Sequence, residues 1–168
     1  MKKKIVIISQ VFYPDSTAVS QILTDLAKYL TKKGHSVDVI TSRYTYEKST
    51  INLRKRETYH NINIIRIKHT NFGKKTILRR VLDFLTFNIL VIPKLIFIRK
   101  KNTDAILGLT TPPLLPFICV LISKVKQIPF YYWAMDLQPE LSINSNLIKP
   151  NSLKAKVLDF IGTYSLKH

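Results

Sequence analysis

The chain has 168 residues, enough for one domain with a core of its own and crowded for two. Its 27 Lys and Arg against 10 Asp and Glu leave a net charge of +17, which points to an anionic partner. A single cysteine, Cys119, excludes a disulfide framework and is compatible with a reducing cytoplasm.

The N-terminus has a basic head, but its apolar run stops at Ser9 and Gln10, too soon for the hydrophobic segment of a secretory signal. Residues 4–9, "KIVIIS", form instead a continuous β-branched run, the mark of a strand covered on both faces. After a loop, Val19, Ile22, Leu23, Leu26, Ala27 and Leu30 recur at helical spacing. Asp15, Ser16 and Thr17 are the candidate caps, and Gly34 the left-handed residue that ends the helix. Residues 35–41, "HSVDVIT", read as a second strand, so the first forty residues make a right-handed β-α-β unit with parallel strands.

Residues 43–60 show no period and much charge, and are expected as an exposed excursion. "INIIRI", 62–67, is a third strand. From Thr76 to Lys101 the pattern predicts one long helix or two broken ones, with Pro93 at the kink or break. "DAILGLT", 104–110, is a fourth strand, and 112–126 a helix that can start on Pro113. "IPFYYWAM", 128–135, is a fifth strand, and a last helix begins with Asn151 or Ser152 as its cap. Strands alternating with helices predict a single α/β domain, a Rossmann-like doubly wound parallel sheet with helices on both faces.

Charge and apolar character coincide between residues 54 and 101, which hold thirteen Lys and Arg against Glu57 and Asp83. That mixture suits an anionic membrane surface, with Lys74, Lys75, Arg79, Arg80, Lys94, Arg99, Lys100 and Lys101 as the expected contacts. Phosphate of nucleic acid would attract the same charges, but the neighbouring aromatics, Phe84, Phe87 and Phe97, lie on an apolar helix rather than along a basic stripe, so no nucleic-acid partner is expected. A composition biased to Lys, Ile and Asn is the bland alternative. The stretch 81–98 is near the lower limit for crossing a bilayer, but Asp83, Asn88, Pro93 and Lys94 interrupt it, which favours a helix lying on the sheet with one face or end at the interface.

Ligands of doubly wound sheets bind outside the carboxyl ends of the strands. That rule gathers Tyr13, Asp15, Ser16 and Thr17 after the first strand, Thr110 and Thr111 after the fourth, and Asp136 and Glu140 after the fifth. No G-x-G-x-x-G or P-loop is present. His35, His60, His69 and His168 lack zinc spacing and cysteine partners, so no metal site is expected, and Cys119 reads as packing.

"KIVIISQVFYPDSTAVSQILTDLAKYLTKKGHSVDVIT" resembles the opening of family 4 glycosyltransferases of the GT-B fold, with a first strand, a "YP" loop, a helix and a "GH-x-V-x-V-x-T" strand in order. "TTPPLLPFICVLISKVKQIPFYYWAMDLQPEL" resembles that family's "PP" turn, helix, "IPF" strand and "D-L-x-P-E" loop. The resemblance covers nearly the whole chain and is carried by the order and spacing of the motifs. It implies the N-terminal, acceptor-side domain of an enzyme that moves a sugar from a nucleotide-sugar, a substrate rather than a cofactor, to a lipid-linked or saccharide acceptor. The implied setting is surface-polysaccharide assembly, peripheral at the cytoplasmic face of the cell membrane.

The family's second domain, which holds most of the nucleotide, is missing from the pattern. The chain is therefore expected to be an N-terminal half, inactive alone, with a separate chain as a possible donor-domain partner. The resemblance makes Asp136 the expected catalytic residue, contacting sugar hydroxyls or orienting the acceptor, while Glu140 closes or caps the following segment. Two departures matter. Asp15, Ser16, Thr17 and Ala18 stand where many members carry two glycines, and Met135 stands where many carry a histidine, so no catalytic histidine carries over. A non-catalytic membrane-associated subunit, or a truncated remnant, that recruits a separate catalytic partner is the alternative.

Overall fold

A computed structural model describes residues 1–46, 52–73, 75–135, 139–145 and 148–167. Six strands form one sheet: β1 (Lys4–Ile8), β2 (Ser36–Ser42), β3 (Arg56–Tyr59), β4 (Ile62–Ile67), β5 (Ala105–Leu109) and β6 (Phe130–Trp133), in the order β3-β4-β2-β1-β5-β6. All neighbours are parallel except β3 and β4. Helix α1 spans Ala18–Lys32, α2 Ile77–Ile96, α3 Leu115–Lys126, α4 Glu140–Asn144 and α5 Leu153–Lys167.

Strand alternation sorts the core into two layers. On one face Ile7, Val37, Val39, Ile62, Ile64 and Leu109 pack with Leu23 and Ala27 of α1. On the other, Val6, Ile8, Ile40, Ile67 and Ile106 meet Phe87, Val91 and Leu95 of α2 and Leu115 and Cys119 of α3. Helix α5 stacks outside α3, where Phe117 meets Tyr164 edge-on at 5.3 Å. Helices thus cover both faces, as the doubly wound pattern requires. Cys119 is sealed in this layer, and burial pushes its thiol well above the ordinary range. A Cβ on Gly108 would come within 2.9 Å of the Phe130 ring and 3.5 Å of Cys119 Sγ, so the bare backbone lets α3 and β6 close on β5.

Of the three candidate caps for α1, Thr17 is the one used: its hydroxyl accepts from Ser20 N–H at 3.3 Å. Gly34, at φ +86°, turns the chain out of the helix. Pro93 does not break the long helix. It sits in the last turn of α2, after Thr76 has capped the first, and only a short 3-10 turn at Lys100–Asn102 follows. Helix α3 starts at Leu115 rather than Pro113, with Pro116 in its first turn, and Ser152 caps α5 by accepting from Ala155 N–H at 3.2 Å.

The excursion expected over 43–60 needs correction, for Arg56–Tyr59 is β3. It pairs antiparallel with β4 through the two-residue turn His60–Asn61, both at positive φ (47° and 61°), the geometry that suits a tight hairpin. Tyr44 also bridges to Asn52. Residues 47–51 of that stretch lie outside the described residues.

Candidate functional site

The loop after β1 is built by its own polar groups. The Asp15 carboxylate is buried and accepts from Thr17 N–H at 3.4 Å and from Tyr46 N–H across the loop after β2. Gln21 donates to the Ser16 carbonyl at 2.8 Å. Tyr13 stacks on Tyr59 of β3, with ring centroids 3.7 Å apart, and its carbonyl accepts from Arg66 at 2.8 Å. Arg66 is buried and also bonds Glu57 of β3 at 2.5 Å, so one guanidinium ties the hairpin to the Tyr13 loop. Asp15 and Thr17 thereby shape the rim from within.

At the other side of the rim Thr110 joins β5 to β6. Its hydroxyl donates to Trp133 carbonyl at 3.3 Å and accepts from Met135 N–H at 2.8 Å, fixing the chain just ahead of Asp136. Thr111 is half-buried beside it. Glu140 is exposed in the first turn of α4, where its carboxylate favours the positive end of the helix. Asp136 lies outside the described residues, as does Lys74.

A cleft of about 260 Å³ opens at the carboxyl ends of β1, β2 and β4. Gln10, Tyr44, Tyr46 and Asn71 supply hydrogen-bonding groups, and Arg80, Asp83 and Phe84 reach it from α2. The Arg80 guanidinium lies 5.4 Å over the Phe84 ring. Asp83 is buried and accepts from Phe72 N–H at 3.0 Å and Gly73 N–H at 3.2 Å, which folds the loop after β4 against α2. Of the described residues expected to bind substrate or membrane, Arg80 alone is in this lining, and it was expected at a membrane.

His69 closes the floor. Its Nε2 bonds Ser42 Oγ at 2.9 Å, and its ring sits edge-on to Tyr44 and Phe87. Burial holds the imidazole below its ordinary value, outweighing the Thr70 backbone and the Asp83 carboxylate, which favour the charged ring. Nδ1 is sealed from solvent, and the ring packs as part of the cleft wall. Among the described residues the cleft offers hydrogen bonding, aromatic surface and one cation, Arg80. Among the described residues no three His, Cys, Asp or Glu side chains gather as metal ligands would, and no helix is long and apolar enough to cross a membrane.

Solved structures that share this architecture include the following two. Sucrose-phosphate synthase from Thermosynechococcus elongatus superposes with a TM-score of 0.60 at 12% identity, over 99% of this chain and 41% of that one. The catalytic domain of starch synthase IV from Arabidopsis thaliana, bound to ADP and acarbose, gives 0.54 at 12% identity, over 82% of this chain and 35% of that one. The chain has a glycosyltransferase-like fold. The chain spans about two fifths of the length of these two structures or less. No protein-family model matches the chain, and no curated protein matches it by sequence.

Proposed function

We propose that the chain is the acceptor side of a family 4-like glycosyltransferase, which transfers a sugar from a nucleotide-sugar to a lipid-linked or saccharide acceptor in cell-surface polysaccharide biosynthesis. The observation that carries the reading is the cleft at the carboxyl ends of β1, β2 and β4 in a glycosyltransferase-like fold. Its amide, phenol and guanidinium groups beside an aromatic face suit a hydroxyl-rich ligand carrying an anionic group. In this reading Asp136 orients the acceptor hydroxyl. The loops after β1 and β5 hold the rim through Tyr13, Asp15, Ser16, Thr17, Thr110 and Thr111, and Glu140 fixes the segment beyond Asp136.

The nucleotide side of the reaction is proposed to come from a donor-binding domain, on the same protein or on a separate chain; the matched proteins are more than twice as long as this chain. The work place is the cytoplasmic face of the cell membrane, held peripherally by basic side chains. Deleting the gene tests the function. The expected result is accumulation of a shortened lipid-linked saccharide and altered surface polysaccharide, restored by the wild-type gene but not by Asp136→Ala. Unchanged lipid-linked saccharides and surface polysaccharide after deletion would overturn the reading.

A further inference from the structure

Helix α2 is apolar on the side away from the sheet. Leu78, Leu82, Leu85, Ile89, Ile92 and Ile96 follow one another at steps of four, three, four, three and four, which places them on a single stripe. The stripe is about 27 Å long at 1.5 Å per residue. All but Ile92, which is half-buried, are exposed, and Leu78 at 69% and Ile89 at 62% are the most open. Phe97, 80% exposed, extends it past the helix end. No side chain of the stripe is charged. Cations stand at its two ends instead: Lys75, Arg79 and Arg80 at the first turn, and Lys94, Arg99, Lys100 and Lys101 at the last, all exposed.

We infer that this outward stripe of α2 lies in the plane of an anionic lipid bilayer, its apolar side chains entering the interface and its basic ends meeting the headgroups. The inference rests on the membrane location proposed above and names the element that makes the contact. Charge decides between lipid and a second copy. Two chains of net charge +17 joined stripe to stripe would bring basic helix ends together in either orientation, whereas an anionic surface neutralises both ends at once. Arg80, Asp83 and Phe84 project from the opposite side of the same helix, so docking leaves the cleft uncovered.

The test is sedimentation of the 168-residue chain with vesicles of phosphatidylglycerol and phosphatidylcholine in equal parts, and with phosphatidylcholine alone. Binding is expected to be about tenfold or more stronger on the anionic vesicles and to weaken in high salt. Ile89→Glu is expected to reduce it about tenfold at unchanged far-UV circular dichroism, and each of Lys100→Ala and Lys101→Ala about fivefold. Should Ile89→Glu unfold the chain, Ile89→Cys carrying an environment-sensitive fluorophore replaces it, since Cys119 is buried and unreactive. A blue shift on anionic vesicles is then expected, with none for the same label at Lys33→Cys, at the C-terminal cap of α1. Equal binding to both vesicle types, binding unaffected by the stripe substitution, or a dimer in light scattering that Ile89→Glu dissolves would each overturn the inference. Vesicle binding does not depend on transfer, so failure here and failure of the glycosyltransferase reading are told apart.

Discussion

The inward and outward stripes of α2 are both apolar, and among the described residues only the inward one packs against the rest of the chain. Phe87, Val91 and Leu95 press into the sheet layer, with Asp83 and Asn88 bonded beside them. Leu78, Leu85 and Ile89 face away from it. A helix lying on a sheet needs one apolar stripe, so the second is not required by the fold, and a continuous exposed patch of this kind marks an interaction surface. The difference separates what α2 does for stability from what is proposed for its outward face, and substitutions can test each side separately.

The largest effect is expected from Phe87→Ala, which empties a fully buried ring position. A loss of about 3–5 kcal/mol in chemical denaturation is expected. Asp83→Ala strips the acceptor from the amides of Phe72 and Gly73 and is expected to lose about 1–3 kcal/mol, with the wall of the cleft loosened. Thr76→Ala removes the hydroxyl that accepts from Arg79 N–H at 3.3 Å, and should lower stability by about 1 kcal/mol in the same measurement.

The pH dependence comes from His69, wedged against Phe87. Its folded-state value lies below the ordinary 6.5, so the unfolded chain binds more protons in that window. Melting temperature is therefore expected to fall as pH drops from neutral through 6.5 to the depressed value, to level off below it as far as this group is concerned, and to lose that component in His69→Gln. Ile89→Ala on the outward stripe is the smallest, within about 0.5 kcal/mol. A loss near that of Phe87→Ala would mean that the outward stripe is core and would break the comparison.

Much of the scaffold was legible in the chain because local signals agreed with the packing. The β-branched run of β1, the spacing of Leu23 and Ala27, and Gly34 each point to the element that forms. Strand β3 escaped because "RETY" is a charged edge strand whose pairing is set by its neighbour, although Asn61 before a β-branched run was a usable turn signal. The cleft was less legible than the rim. Gln10, Tyr44, His69 and Arg80 come from four separate segments, and nothing in their spacing joins them. Arg66 was hidden for the opposite reason: within "INIIRI" it reads as one outward polar residue of a strand, while its guanidinium is buried between Glu57 and the Tyr13 carbonyl. The hydroxyls of Thr17 and Thr110 were readable as rim groups, but their work inside the backbone depends on contacts that only the folded chain supplies.

The proposed sugar transfer, to an acceptor held by this domain, can be measured directly. Membranes from a strain lacking the gene, which should accumulate the acceptor, can be incubated with a panel of radiolabelled UDP-, GDP- and dTDP-sugars and a lysate of the strain that expresses the gene with its neighbours. Label from one donor is expected to enter the chloroform–methanol phase with the wild-type gene and to stay out with Asp136→Ala expressed at equal level. Equal labelling of the lipid phase with and without the gene would contradict the account.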